Sequence, residues 1–169
     1  MTSLAEINRS DRTGFTALLG HLFEHSPWVA EDTWPRRPFR DAAQLHAELC
    51  ATMRQASSER QFDLIRAHPD LAGRLAQQNQ LTAASTREQA SAGLNRLTAE
   101  ELATFQSINA RYRERFGFPF IICARLNACT AILTAMQSRL GNTPDTEFTT
   151  ALAEIEKIAR LRLDDLLSI

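Results

Sequence analysis

At 169 residues, with 44% hydrophobic and 23% charged, the chain has the size and composition of a single soluble globular domain with a substantial core. Lys and Arg number 19 against 20 Asp and Glu, a formal net charge of −1 that offers no basic surface to nucleic acid. No apolar run approaches the ~20 residues of a membrane span, and no signal-peptide pattern opens the chain, so a membrane partner is not expected.

Ser10 can cap a first helix whose apolar positions Phe15, Leu18, Leu19, Leu22 and Phe23 follow the spacing of one buried face, ending before Pro27. Trp28, Trp34, Pro35, Pro38 and Phe39 read as an ordered loop, broken by proline and pinned by aromatics. Asp41 caps a second helix through Leu45, Leu49 and Met53, and Ser58 precedes a short third helix that stops at His68. A brief fourth helix is expected from Pro69 to about Gln77. Ser85-x-x-Glu88 and Thr98-x-x-Glu101 both have capping-box spacing, and the second opens a long helix through Leu102, Phe105, Ile108, Tyr112 and Phe116. Gly117 ends that helix as a left-handed cap. Residues 118–124 read as a buried extended segment, because a strand there would have no partner run. A helix carrying Ala128, Ile132 and Met136 follows, and Thr143-Pro144 opens the last one. The expected fold class is all-α, a single compact domain over residues 1–169 with about seven to eight helices.

The cysteines Cys50, Cys123 and Cys129 make no Cys-x-x-Cys pair, and their odd number suits a reducing compartment. The terminal Leu167-Ser168-Ile169 differs from the Ser-Lys-Leu peroxisomal address, and the expected location is cytoplasmic.

Four constellations could carry chemistry. Pro69 disfavours helical geometry at His68, which places a titratable ring at a helix break, beside the free amides of a helix that Pro69 itself would open. It is either a loop histidine or an acid–base group. His21-Leu22-Phe23-Glu24-His25 matches the His-x-x-Glu-His pattern of inverted zinc peptidases, or is a solvated helix face. Glu88 is explained by a capping box, and Gln89 by a polar first turn. Arg162 is the sharpest signal. At ~100° per residue it falls inside the apolar stripe of Phe148, Ala151, Leu152, Ile155, Ala159 and Leu166, so its charge needs an internal carboxylate or a bound anion. Asn109 lies on the buried stripe of its own helix, where its amide would bond a neighbouring loop.

Together these stretches resemble the OHCU decarboxylase family, which acts on 2-oxo-4-hydroxy-4-carboxy-5-ureidoimidazoline (OHCU) in purine breakdown. The similarity covers nearly the whole chain. It runs through Phe23-Glu24, Ser26-Pro27-Trp28-Val29, Arg37-Pro38-Phe39, His68-Pro69-Asp70-Leu71 and Ser85-x-x-Glu88-Gln89. It continues in Asn109-x-x-Tyr112, Arg115-Phe116-Gly117-Phe118-Pro119-Phe120-Ile121 and Lys157-Ile158-x-x-Leu161-Arg162-Leu163. The resemblance implies an all-α enzyme without metal or organic cofactor, often a homodimer, whose product is (S)-allantoin. It implies that His68 is the catalytic histidine, with Glu88 and Arg162, and that Pro69 lines the pocket. Ser85, Glu88, Gln89 and Arg162 would contact the substrate, and Phe120, Ile121, Ile122, Cys123 and Ala124 would offer backbone groups to its ring. Eukaryotic members often carry a peroxisomal signal that this chain lacks.

The implied chemistry needs no electron sink beyond the substrate, because the imine next to the departing carboxylate accepts the electron pair. His68 would then deliver or relay a proton to one face, while Glu88 and Gln89 hold the hydroxyl and ureido groups. Arg162 would orient the substrate or stabilise developing oxygen charge, since gripping the carboxylate alone stabilises the ground state. The rival expectations are a small zinc hydrolase built on His21 and His25, and a non-enzymatic all-α interaction module.

Overall fold

The computed structural model describes residues 2–167, with Leu75 as backbone only. Ser168 and Ile169 of the terminal tripeptide lie outside the described residues. The all-α expectation holds: among the described residues every regular element is a helix or a 3₁₀ turn. Contacts gather the chain into two compact groups, residues 1–67 with 155–169, and residues 68–154.

In the first group α1 (Leu4–Arg9) is capped by Ser3, and α2 (Arg12–Leu19) by Asp11, whose carboxylate accepts from the Gly14 amide at 2.7 Å. Ser10 is therefore the end of α1, and the expected cap lies one residue on. α2 stops at Leu19 and a 3₁₀ turn covers Gly20–Leu22, so the helix does not reach Pro27. The stretch expected to be a loop contains α3 (Trp28–Thr33) and a second 3₁₀ turn, Trp34–Arg36. Two prolines begin elements rather than break them: Pro27 takes the cap position of α3, and Pro35 sits in the first turn of the 3₁₀ segment, where no amide hydrogen is needed, while Pro38 lies between elements.

α4 (Ala42–Gln55) starts at Asp41 as expected, and α5 (Ser58–Arg66) is capped by Ser57. Ile7, Phe15, Leu19, Val29, Leu45, Leu49, Met53, Leu64 and Ile65 are fully buried here, each contributing roughly 1.5–3 kcal/mol by leaving water. Arg37 ties the second 3₁₀ turn to the end of α1. Its Nε donates to the Trp34 carbonyl at 2.9 Å and Nη1 to the Asn8 carbonyl at 3.0 Å, while the guanidinium covers the Trp34 ring at 4.2 Å.

In the second group α6 (Arg74–Gln77) follows a turn, and Pro69 does not open it. The Ala72 backbone is at φ +49°, and a Cβ on Gly73 would stand 2.6 Å from the Asp70 Cβ, so residues 70–73 form a tight turn instead of a first helical turn. α7 (Ala83–Ser91) is capped by Thr82, not Ser85. The Thr82 hydroxyl accepts from the Ser85 amide at 3.2 Å, and Ala83 and Ala84, strong helix formers, let the helix begin a turn early. α8 (Ala99–Phe116) has the full Thr98/Glu101 capping box and ends at Gly117, φ +76°. Residues 118–124 are a buried, largely extended segment, as expected, closing in a 3₁₀ turn at Ala124–Leu126. α9 (Cys129–Arg139) buries Ile132 and Met136 and packs on α8. The last helix, α10 (Pro144–Leu167), gives its residues up to Glu154 to this group and the rest to the first.

Candidate active site

His68 opens the second group, directly after the end of α5, and is buried. The break that Pro69 forecasts is real, but its surroundings are not a helix N-terminus. The turn beyond it is held by side chains from two helices. From α7, the Gln89 carboxamide accepts from the Ala72 amide at 3.0 Å and donates to the Asp70 carbonyl at 3.4 Å. From α8, the Asn109 amide donates to the Leu71 carbonyl at 2.9 Å, the loop-bonding role expected of it. Arg113 Nε meets both Asp70 carboxylate oxygens at 2.8 and 3.0 Å.

Ser85, Glu88 and Gln89 stand at i, i+3 and i+4 on α7 and so share one face. Ser85 and Gln89 are buried and Glu88 is half-buried. Because Thr82 provides the cap, Glu88 is not the third residue of a capping box, and the structural explanation offered by its spacing lapses. α7 packs against the Ala124–Leu126 turn, which brings this triplet to the 120–124 segment. Burial pushes the Cys123 thiol up, with the Glu154 and Glu88 carboxylates adding to the effect, which places the Glu88 charge near that segment.

Three backbone groups of the segment already have partners. The Ile121 carbonyl accepts from Arg139 at 2.8 Å, the Cys123 amide donates to the Glu154 carboxylate at 2.8 Å, and the Cys123 carbonyl accepts from Asn127 at 2.9 Å. The Arg139 guanidinium also covers the Phe120 ring at 4.3 Å and binds Glu147 at 2.9 Å. Glu147, fully buried, further accepts from the Tyr112 hydroxyl and from Asn142 at 2.7 Å. The sequence reading missed this network. Glu147 and Glu154 lie roughly 90–110° from the middle of the α10 stripe at ~100° per residue, where a carboxylate normally reads as solvated.

Arg162 belongs to the first group. Its guanidinium is buried, as its position on the stripe requires, and it has an internal acceptor: Nη2 is 3.0 Å from a Glu24 carboxylate oxygen, with only 5% and 2% of the two side chains exposed. Nη1 points to the His21 and Leu22 carbonyls at 3.4 Å. Glu24 is therefore neither a solvated residue nor a zinc-peptidase base. Residues 21–25 do not form the helix that a zinc pair would need, since Phe23 is extended and His25 has φ +46°. Partial burial, and then the neighbouring Arg162 charge, hold the His21 imidazole below its usual pKa.

The described helices thus define an all-helical protein in which a buried histidine, a carboxylate-bearing helix face and a pinned extended segment are gathered in one group of residues. The chain belongs to the OHCU decarboxylase family, a family of carboxy-lyases, whose model matches residues 8–164. It is 44% identical over 161 residues to the 2-oxo-4-hydroxy-4-carboxy-5-ureidoimidazoline decarboxylase of Haloferax volcanii, covering 95% of this chain and 94% of that one. It superposes on the crystal structure of an (S)-allantoin synthase with a TM-score of 0.80 and 29% identity, over 99% of this chain and 54% of that one. A crystal structure of OHCU decarboxylase in the presence of (S)-allantoin shares the fold, with a TM-score of 0.72, 22% identity, and 95% and 100% of the two chains covered.

Proposed function

We propose that this protein removes the carboxylate of OHCU as CO₂ and delivers (S)-allantoin, in urate breakdown. The observation that carries the proposal is the buried His68 just before a turn bonded to the helix bearing Ser85, Glu88 and Gln89. Breaking the bond from the ring carbon to the carboxylate sends its electron pair into the adjacent imine. Holding that pair, the imine nitrogen takes up the one proton that each turnover consumes; the resulting enol then loses its hydroxyl proton and gains a proton on the neighbouring carbon. His68 gives or relays that proton to a single face, help worth about 10²–10⁴-fold. Glu88 holds the hydroxyl as it becomes a carbonyl. Gln89 reaches the ureido group with the hydrogen-bonding capacity its two backbone bonds leave, since a carboxamide has two donors and two acceptor sites. Ser85 and Pro69 line the pocket, and the 120–124 segment contributes backbone groups beyond those bonded to Arg139, Glu154 and Asn127.

Arg162, oriented by Glu24, stabilises the oxygen charge that develops as the enol hydroxyl gives up its proton, because only differential binding accelerates the step. A homodimer, a cytoplasmic location and a single domain over residues 1–169 complete the proposal. Among the described residues no helix is long and apolar enough to cross a membrane.

The test is freshly generated OHCU, followed by the circular dichroism of the allantoin formed. An (S)-allantoin signal above the spontaneous rate is expected, and racemic product at the spontaneous rate overturns the proposal. The His68→Asn variant should lose stereospecific turnover with its helix content unchanged.

A further inference from the structure

We propose that Arg113 and Asn109 are positioning residues for His68: spaced i, i+4 on one face of α8, they clamp the turn that follows it. The proposal rests on His68 as the proton carrier, and it adds what keeps that ring aimed.

The turn has little to fix it from within. Its own backbone bond, from the Gly73 amide to the Asp70 carbonyl, is long at 3.3 Å, and Ala72 sits at φ +49°. The fixing comes from outside, in consecutive order along the chain. Arg113 takes the Asp70 side chain at 2.8 Å, Asn109 takes the Leu71 carbonyl at 2.9 Å, and Gln89 takes the Ala72 amide at 3.0 Å. Three neighbouring residues are thus tied by three side chains, two of them from one helical face. Asp70 is joined to His68 through Pro69, whose ring fixes its own φ and restricts the backbone before it. A shift at Asp70 therefore passes to the histidine with little slack.

The Arg113–Asp70 pair is also poorly placed to serve folding. Its side chains are 44% and 23% exposed, and pairs so open to water add little to stability. Protonation from one face is by contrast sensitive to displacement, since a misplacement of about 1 Å can cost on the order of 10²-fold in rate.

The experiment compares the wild type with Arg113→Gln and Arg113→Lys, using kinetics on OHCU, the enantiomeric excess of the allantoin, and proton–carbon NMR of the histidine rings. The His68 signal is assigned by its loss in His68→Asn. Arg113→Gln should lower kcat about tenfold with KM changed less than about twofold, the signature of lost orientation. It should also lower the enantiomeric excess and broaden or split the His68 ring signal, with the thermal midpoint nearly unmoved. Arg113→Lys, which keeps the charge, should recover most of kcat and the single ring signal. Asn109→Ser, which withdraws the donor from Leu71, should act in the same direction.

A wild-type kcat in Arg113→Gln, a loss confined to KM, or an unaltered His68 signal overturns the clamp. If the wild-type protein itself yields racemic product at the spontaneous rate, the functional proposal fails on its own. The His68 signal then decides the clamp alone: broadening in Arg113→Gln upholds it and no change overturns it.

Discussion

A guanidinium on a buried helix face needs an internal carboxylate or a bound anion, and Arg162 meets Glu24. Removing one member of such a pair strands the other charge, so Glu24→Ala should destabilise the protein by about 3–5 kcal/mol in urea denaturation, far beyond an ordinary surface change. Arg162 was legible because its angle on the α10 stripe conflicts with its charge. Glu24 was not, because a single Glu between histidines carries no periodic signal, and only the acceptor demanded by Arg162 could have pointed to it. The Tyr112 hydroxyl gives a second residue-scale expectation. Burial, then the bond to Glu147, raises its pKa above the usual value, so the folded state resists ionisation. Stability is full below the unfolded tyrosine pKa of about 10 and falls as pH rises past it, because the unfolded chain ionises first. Denaturant midpoints measured from pH 8 to 11 should hold and then decline, and Tyr112→Phe should lessen the decline. The Cys50 thiol, pushed up to about 12 by burial and then by Glu156, should react slowly with iodoacetamide at pH 8 in native protein.

At the scale of elements, α8 was readable from end to end, since both its capping box and its glycine stop are local sequence devices. Gly117 adopts φ +76°, and an added Cβ would meet nothing within 4 Å, so Gly117→Ala carries a purely conformational cost. It should lower stability by roughly 1 kcal/mol, and Gly117→Asn by less, in the same denaturation assay. α3 and the start of α7 were hidden for a related reason. Proline and threonine serve equally at the beginning of a helix and in a loop, and what decides is tertiary packing, such as that of α3 on α2 and α4. The turn after His68 was half legible. The break belongs to Pro69, but the course of residues 70–73 is imposed by Gln89, Asn109 and Arg113, which are 16 to 43 positions away in the chain.

Across the whole molecule, the ordered set of short motifs revealed the family, while the scaffolding behind them did not show. Arg139 and Glu154 bond the 120–124 segment and Glu147 holds Arg139, yet each alone has an unremarkable sequence context. The division of aromatic residues has a practical result. Both tryptophans, Trp28 and Trp34, fall in the first group, and the lone tyrosine, Tyr112, falls in the second. Each group therefore has its own chromophore, and no label is needed to watch either one melt. If residues 1–169 are a single cooperative domain, tryptophan fluorescence and tyrosine near-ultraviolet signals will trace one coincident transition. Two separated midpoints would mean that the carrier of His68 and the carrier of Arg162 can lose their structure one at a time.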